Sequence, residues 1–252
     1  MARSYSTEAI IIKSVNFGES DRIITFLSPY RGKFRAVAKG VRKIASRRSP
    51  NLDLFNLVKA QFVSGKNIDL VTEVEAIETF KKVKEDLERV SYGFYLSELT
   101  NEFLADGQGN IKIFNLLKNT LLTINNEMKI EKVKIYLFAF IIKFLEIVGY
   151  RPELYKCSRC NQIIKPTTSY LSPDLGGLVH YSCAKNLVNV RPASYDLVKI
   201  LRFLQRENWS GIKRLKLSGS LCEKIDGNLR FYTEYLLEKE IKSAKFIDQM
   251  KK

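Results

Sequence analysis

The first third of the chain alternates short apolar runs with turn-forming residues. Five runs of β-branched or aromatic residues follow one another between residues 7 and 80, and no long helical pattern separates them. The runs are EAIIIKSV, RIITFLS, KFRAVAKG, LVKAQFVS and IDLVTEVEAIETF. The connecting pieces, such as NFGESD and PYRG, favour turns. This pattern predicts a small antiparallel β-barrel of the OB-fold or SH3-like kind in residues 1–80.

Near residue 84 the spacing of the apolar residues becomes that of helices. In KEDLERVSYGFYLSELTNEFL they recur every three or four positions, which predicts a helix with one buried stripe. The stripe comprises Leu87, Val90, Phe94, Leu99 and Phe103, with Leu96 lying off it. Further helices are predicted in IFNLLKNTLLTIN, KVKIYLFAFIIKFLEIVG and SYDLVKILRFLQ. A long C-terminal helix follows, with a buried face at Ile225, Leu229, Tyr232 and Leu236.

The charge balance points to a polyanionic partner. Of the 252 residues, 45% are hydrophobic and 27% are charged, as in ordinary globular proteins, but the net charge is +15. Proteins with such an excess of positive charge usually bind nucleic acid, and less often an anionic membrane surface. The alternative is a lysine-rich proteome that raises the charge of every protein. Because the cations are clustered along this chain, a nucleic-acid partner is the preferred interpretation.

The hydrophobic segments predict a cytoplasmic protein without a membrane partner. The most apolar one, IYLFAFIIKFLEIVG, is interrupted by Lys143 and Glu146 and is too short to span a bilayer. The N-terminus MARSYSTEAIIIKSVN lacks the pattern of a secretory signal. In a reducing compartment, paired cysteines more often bind a metal or carry redox chemistry than form disulfides.

Three cysteines and the single histidine of the chain form a C-x2-C…H-x2-C pattern. The two pairs are Cys157 with Cys160 and His180 with Cys183, separated by nineteen residues. This spacing is typical of a structural zinc site, so we expect one Zn²⁺ held by all four residues. The alternative is two buried thiols beside a surface histidine, and Cys222 is the spare ligand if His180 does not bind. Four protein ligands leave no open position for a catalytic water.

A basic stretch, RGKFRAVAKGVRKIASRR at 31–48, carries eight cations and no acid. Strand alternation would turn its first cations outward, and the remainder resembles a mobile arm. A barrel face edged by cations suits a phosphate backbone. The candidate DNA-binding residues are Arg22, Arg31, Lys33, Arg35, Lys39, Arg42, Lys43, Arg47 and Arg48. Candidates for stacking on bases are Phe17, Tyr30 and Phe34, although aromatic residues in a small barrel more often belong to its core.

The sequence favours a binding protein over an enzyme. It contains no Gly-rich phosphate loop, no H-E-x-x-H motif and no G-x-S-x-G motif. Its single histidine is assigned to the metal. The predicted architecture is therefore α+β and multidomain: an N-terminal OB-fold barrel at 1–80, then an α-helical domain at 81–252 with a zinc-binding element inserted at 157–183.

Several stretches make the chain resemble the RecO family of bacterial DNA repair proteins. They are EAIIIKSVNFGESDRIITFLSPYRGKFRAVAKGVRK, YLSELTNEFL, GYRPELYKCSRC, LSPDLGGLVHYSC and EIKSAKFIDQ. The resemblance implies an OB-fold, a helical domain with a zinc element, and a nucleoid-associated role in homologous recombination after DNA damage. It also implies single-stranded DNA binding, with duplex DNA as a further candidate, and annealing of complementary strands. The implied partners are RecR, the C-terminal tail of single-strand binding protein and, indirectly, RecA, which is loaded onto coated strands.

The chain differs from the family pattern at one metal ligand, and two alternative functions stay open. His180 stands where zinc-bearing members of the family have a cysteine, which bears on the affinity for metal. A zinc-containing RNA- or ribosome-binding factor is the first rival, and a zinc enzyme acting on nucleic acid is the second. Cationic candidates for docking the acidic tail of single-strand binding protein are Lys199, Arg202, Arg206, Lys213, Arg214 and Lys216.

Overall fold

The computed structural model of the protein describes residues 3–44, 46–165 and 168–250. The chain divides into two compact units, Met1–Asn126 and Glu127–Lys252. The first unit holds the barrel and the three helices that follow it. The second holds the remaining helices and the cysteine-rich element. Each unit is described by itself.

The first unit begins with a closed barrel of five strands. They are β1 (Ser4–Phe17), β2 (Asp21–Ser28), β3 (Gly32–Ala38), β4 (Leu57–Val63) and β5 (Asp69–Glu78). The strand order is β1-β2-β3-β5-β4, and β1 also pairs with β4 to close the barrel. The β3–β5 pair is parallel and the others are antiparallel. This arrangement confirms the predicted OB-fold, and all five predicted runs form strands.

A bulge in β1 decides which side chains face outward. Up to Ile11 the odd-numbered residues of β1 point into the barrel core. The register then shifts between Ile11 and Lys13, so that Lys13 lies opposite Thr25 of β2. The inserted residue turns the later odd-numbered side chains, including Val15, to the outer face.

The segment between β3 and β4 packs back onto the barrel. Val41 and Leu52 are fully buried and belong to the barrel core. The guanidinium of Arg48 donates to the carbonyl oxygens of Val71 at 2.9 Å and Lys39 at 2.7 Å. The prediction of an arm leaving the barrel is therefore wrong for the described residues. Buried apolar side chains at wide intervals hold this segment despite its high charge.

Three helices complete the first unit: α1 (Lys81–Glu85), α2 (Leu87–Phe103) and α3 (Ile111–Asn126). The predicted stripe of α2 is partly wrong, because Leu87 and Phe94 are exposed whereas Leu96 is fully buried. Helix α2 contacts α1, α3 and β1, so its buried residues lie on several sides rather than on one. Asp86 caps α2 by accepting a hydrogen bond from the amide of Arg89.

The second unit begins with α4 (Ile130–Ile147), which is buried along most of its length. Next comes the cysteine-rich element with β6 (Ser169–Ser172), β7 (Gly177–His180), α5 (Tyr181–Ala184) and β8 (Arg191–Ala193). The strands form an antiparallel sheet in the order β7-β6-β8. The sequence predicted a loop or a short hairpin here, and the pairing of β8 with β6 adds a strand that it did not predict.

Four helices follow in the second unit. They are α6 (Tyr195–Arg206), α7 (Trp209–Arg214), α8 (Gly219–Leu237) and α9 (Lys242–Met250). The predicted face of α8 is confirmed at Ile225, Leu229 and Tyr232, which are buried, while Leu236 is half-buried. Among the residues that the structure describes, no helix combines the length and hydrophobicity that a membrane crossing requires.

Candidate metal centre and nucleic-acid interface

The four predicted metal ligands come together from three local structures. Cys157 and Cys160 lie in a tight turn, closed where the amide of Cys157 donates to the carbonyl of Gln162 at 2.8 Å. His180 is the last residue of β7, and Cys183 lies on the short helix that follows. The ligand atoms of the four residues lie within 4.8 Å of one another. The cluster can hold one metal ion.

The thiols differ in how readily they ionise. Burial by itself would raise the pKa of Cys157, but hydrogen bonds from backbone amides, those of Cys160 and His180 first, lower it to about 6. Burial raises the pKa of Cys183, and so do its hydrogen bonds to the other two thiols. The hydrogen bonds therefore favour the thiolate form of Cys157, whereas binding a metal would displace the proton of Cys183.

The imidazole of His180 has a defined orientation. Its Nδ1 lies 3.4 Å from Sγ of Cys160, and its Nε2 lies 3.3 Å from the carbonyl oxygen of Ile163. A carbonyl only accepts, so Nε2 carries the hydrogen and the lone pair of Nδ1 points to the thiols. Two ligands at ordinary Zn–S and Zn–N distances around a tetrahedral zinc lie about 3.6 Å apart. The donor set therefore fits zinc.

Neighbouring residues support the cysteine-rich element. The guanidinium of Arg202 on α6 donates to the carbonyls of Leu154 at 2.7 Å and Ile164 at 3.3 Å, on either side of the cysteine turn. It also lies 4.8 Å over the ring of Tyr155. Arg202 was a candidate for docking an acidic tail, but these contacts commit it to the turn. The other five candidates, Lys199, Arg206, Lys213, Arg214 and Lys216, are exposed.

Cys222 lies apart from the metal cluster. It is half-buried on α8 and does not belong to the group of four ligands. Burial raises the pKa of its thiol, which disfavours the thiolate form that binds metal. This placement does not support Cys222 as the spare ligand.

A groove runs over the outer face of β1, β2 and β3 in the first unit. Lys13, Thr25 and Arg35 form one row across the three strands. The next row is apolar and consists of Val15, Ile23 and Val37. The groove has a volume of about 480 Å³. Its lining residues are Lys13, Val15, Ile23, Thr25, Lys33, Arg35, Asn101 and Asp106.

The nine predicted DNA-binding residues do not share one surface. Lys33 and Arg35 line the groove. Lys39 and Arg42 lie beyond the other end of β3, where the guanidinium of Arg42 donates to the carbonyl of Gly18 at 3.2 Å. The exposed members of the set are Arg31, Arg35, Lys39, Arg42, Lys43 and Arg47, and the half-buried ones are Arg22, Lys33 and Arg48.

Arg31 and Arg48 have structural contacts that join parts of the barrel. Arg48 binds backbone carbonyls, as described above. Arg31 forms an ion pair with Asp69 at 3.4 Å, and its guanidinium lies 3.9 Å over the ring of Tyr5. The hydroxyl of Tyr5 in turn donates to Asp69. These contacts join β1, the start of β3 and β5.

The sequence missed one cation of the groove and left one aromatic residue open between base stacking and the barrel core. Lys13 is exposed and lines the groove, but only the bulge in β1 turns it outward. Phe34 is 7% exposed and stacks on Phe26 in the barrel core, so it is unavailable to bases. Phe17 and Tyr30 are exposed, which keeps both as candidates for stacking.

Comparisons with known proteins cover nearly the whole chain. Residues 1–80 match the family model described as recombination protein O N terminal, and residues 84–245 match the C-terminal model. A DNA repair protein RecO from Dehalococcoides mccartyi is 34% identical, covering 98% of this chain and 96% of that protein. Proteins of the same name from Desulforamulus reducens and a Roseiflexus species are 33% and 32% identical. These alignments cover 98% and 99% of this chain, and 95% and 87% of the two relatives.

Proposed function

Because this chain belongs to the recombination protein O family of DNA repair proteins, we propose that it binds single-stranded DNA along the outer groove of its barrel. The observation that carries the proposal is the pairing of an apolar row, Val15 and Ile23, with the cationic row that contains Lys13 and Arg35. Cations neutralise phosphates, and the exposed ring of Phe17 offers a surface for a base.

This groove suits a single strand better than a duplex. Unstacked bases can cover apolar and aromatic side chains, whereas the bases of a duplex are already paired and stacked. Duplex DNA would meet only the cations, so we expect it to bind more weakly and without contacts to Val15 or Phe17. The same argument covers duplex RNA, the substrate expected of a ribosome-associated factor.

The wider role follows from family membership. In this role, the protein anneals complementary strands. Together with RecR, it helps to load RecA onto strands that are coated by single-strand binding protein. The net charge of +15 would reduce the repulsion between two phosphate backbones during annealing. The acidic tail of single-strand binding protein would find exposed cations on α6 and α7. This role belongs to a cytoplasmic protein at the nucleoid.

We further propose that the four-residue cluster holds one structural zinc ion and that the protein acts by binding, without catalysis. Thiolate and imidazole ligands suit zinc, and a complete set of four leaves no position for a reacting water. A metal held by the cysteine turn and β7 would also stabilise the element, since structural zinc contributes on the order of 10 kcal/mol to folding. Metal analysis should find about one zinc per chain.

An annealing assay tests the central proposal. Complementary strands coated with single-strand binding protein should anneal faster with the protein than without it. Duplex RNA added as a competitor at matched salt should have little effect on the annealing rate, whereas added non-complementary single-stranded DNA should lower it. Stronger competition by the RNA would favour the RNA-binding alternative. Metal-dependent cleavage of labelled DNA would favour the enzyme.

A further inference from the structure

The loop at residues 104–110, between α2 and α3, forms one wall of the groove. The amide of Gly107 donates to the carbonyl of Lys33 at 2.8 Å. Gly32 has a φ of +65°, and a Cβ there would collide with the carbonyl oxygen of Gln108. A Cβ at Gly109 would likewise collide with the carbonyl of Tyr30. This close backbone contact holds the loop against β3.

The loop brings a carboxylate to the cations of the groove. Asp106 lies 3.4 Å from the ammonium of Lys33 and 3.8 Å from Nε of Arg35. Of the described residues that line the groove, Asp106 alone is acidic. Lys33 also donates to the carbonyl of Asn101 at 2.6 Å, so its ammonium is largely engaged within the protein.

We infer that Asp106 takes the place of a phosphate beside Lys33 and Arg35 and thereby limits the affinity of the groove for single-stranded DNA. The inference rests on the proposed DNA binding. A fixed negative charge about 4 Å from both cations repels a phosphate that approaches them, and it leaves Lys13 as the cation at the other side of the row. A strand held in this way is released more readily, which suits a protein that passes DNA on.

Asp106→Asn is the variant that tests this role, because it removes the charge and keeps the shape. Binding of a fluorescent oligothymidine is measured by anisotropy over a range of salt concentrations. We expect about fivefold tighter binding at low salt and a salt dependence steeper by about 0.7 for one added phosphate contact. Asp53→Asn is the matched control, since Asp53 is similarly exposed (56% against 53%) and pairs with Lys84 instead.

A second variant separates charge from loop position. Asp106→Glu keeps the carboxylate and should bind DNA within about twofold of the unmodified protein, because an exposed ion pair tolerates small changes in length. A gain in affinity with Asp106→Glu as well, or none with Asp106→Asn, would overturn the inference. Failure of the unmodified protein to bind oligothymidine would instead refute the proposed function. Thermal unfolding checks that each variant is folded.

Discussion

His180 has two nitrogens, and we expect only Nδ1 to bind the metal. Its Nε2 is oriented towards the carbonyl of Ile163, which requires a hydrogen there. Because the chain contains one histidine, labelling with [¹⁵N]histidine gives the signals of this residue alone. In protein loaded with ¹¹³Cd, scalar coupling should appear at Nδ1, and Nε2 should stay protonated. Coupling at Nε2 would contradict the assignment.

The same residue supports a matched pair of substitutions. His180→Cys replaces the imidazole by a thiolate, which is also an ordinary zinc ligand, so zinc should stay bound. His180→Ala removes a ligand and should weaken binding more than about 100-fold, the upper range for losing an outer partner of a ligand. Competition with a zinc-binding dye measures the zinc affinity of both variants. Full zinc occupancy in His180→Ala would show that the histidine is not a ligand.

Arg31 should matter for stability more than for DNA binding. It links Tyr5 and Asp69 across the barrel, where β3 and β5 pair over only two positions. Arg31→Ala should lower the free energy of unfolding by about 1–2 kcal/mol through its cation–π and charged contacts. Urea denaturation measures the change. Lys43→Ala, an exposed cation of the same stretch, should change stability by less than about 0.5 kcal/mol. Equal effects of the two would refute this role.

The sequence predicted the roles of residues whose partners lie close in the chain. It did not predict the roles of residues whose partners are distant. The cysteine and histidine spacing identified the whole cluster, because each pair lies within one turn or one strand end. The sequence could not distinguish Arg31 and Arg48, which make structural contacts, from the cations that are available to DNA. Their partners, Asp69 and the carbonyl of Val71, lie more than twenty residues away and are set by the closure of the barrel.

Among the elements, the segment that joins β3 to β4 is held by buried apolar side chains. Leu52→Ala should leave a cavity in the barrel core and lower the free energy of unfolding by about 2–4 kcal/mol. Ile44→Ala, in the same segment but fully exposed, should have no measurable effect. Urea denaturation compares the two variants. A small effect of Leu52→Ala would restore the interpretation of this segment as an arm.

Strands were predicted better than helix faces for a physical reason. Each strand of the barrel turns one face to a single core, so its apolar run identifies it as a strand, although residues 9–12 of β1 and 24–28 of β2 are buried on both faces. Helix α2 contacts several neighbours, and its consecutive residues Tyr95, Leu96 and Ser97 are all buried, although consecutive side chains of a helix point in different directions. A stripe at helical spacing assumes one partner and therefore failed there.

For the whole chain, the change from strands to helices falls between β5 and α1, and the sequence analysis grouped all the helices in one domain at 81–252. The family models meet between residues 80 and 84. The compact units divide later, after Asn126, because α1 to α3 pack with the barrel. Lys118 of α3, for example, pairs with Glu8 of β1 at 2.7 Å. Such long-range pairs have no signature in local sequence.

The net charge of +15 and the local contacts of the groove predict different effects of charge reversal on DNA binding. If DNA binding depends on local contacts in the groove, Lys13→Glu with Arg35→Glu should weaken it for all sequences alike, because both side chains line the groove and phosphate contacts carry no sequence information. The slope of log affinity against log salt should become shallower by roughly one unit or more, at about 0.7 per lost contact with a single strand. Anisotropy titrations at several salt concentrations measure this change.

The control has the same change in net charge elsewhere on the first unit. Lys66→Glu with Lys82→Glu reverses two exposed cations that do not line the groove. It should keep the salt slope and lose little affinity, since exposed charges beyond the Debye length of about 8 Å are screened at physiological salt. Equal losses in the two double variants would mean that net charge, and not the surface around β3, attracts the DNA. The cations of α6 and α7 would then be the next surface to test.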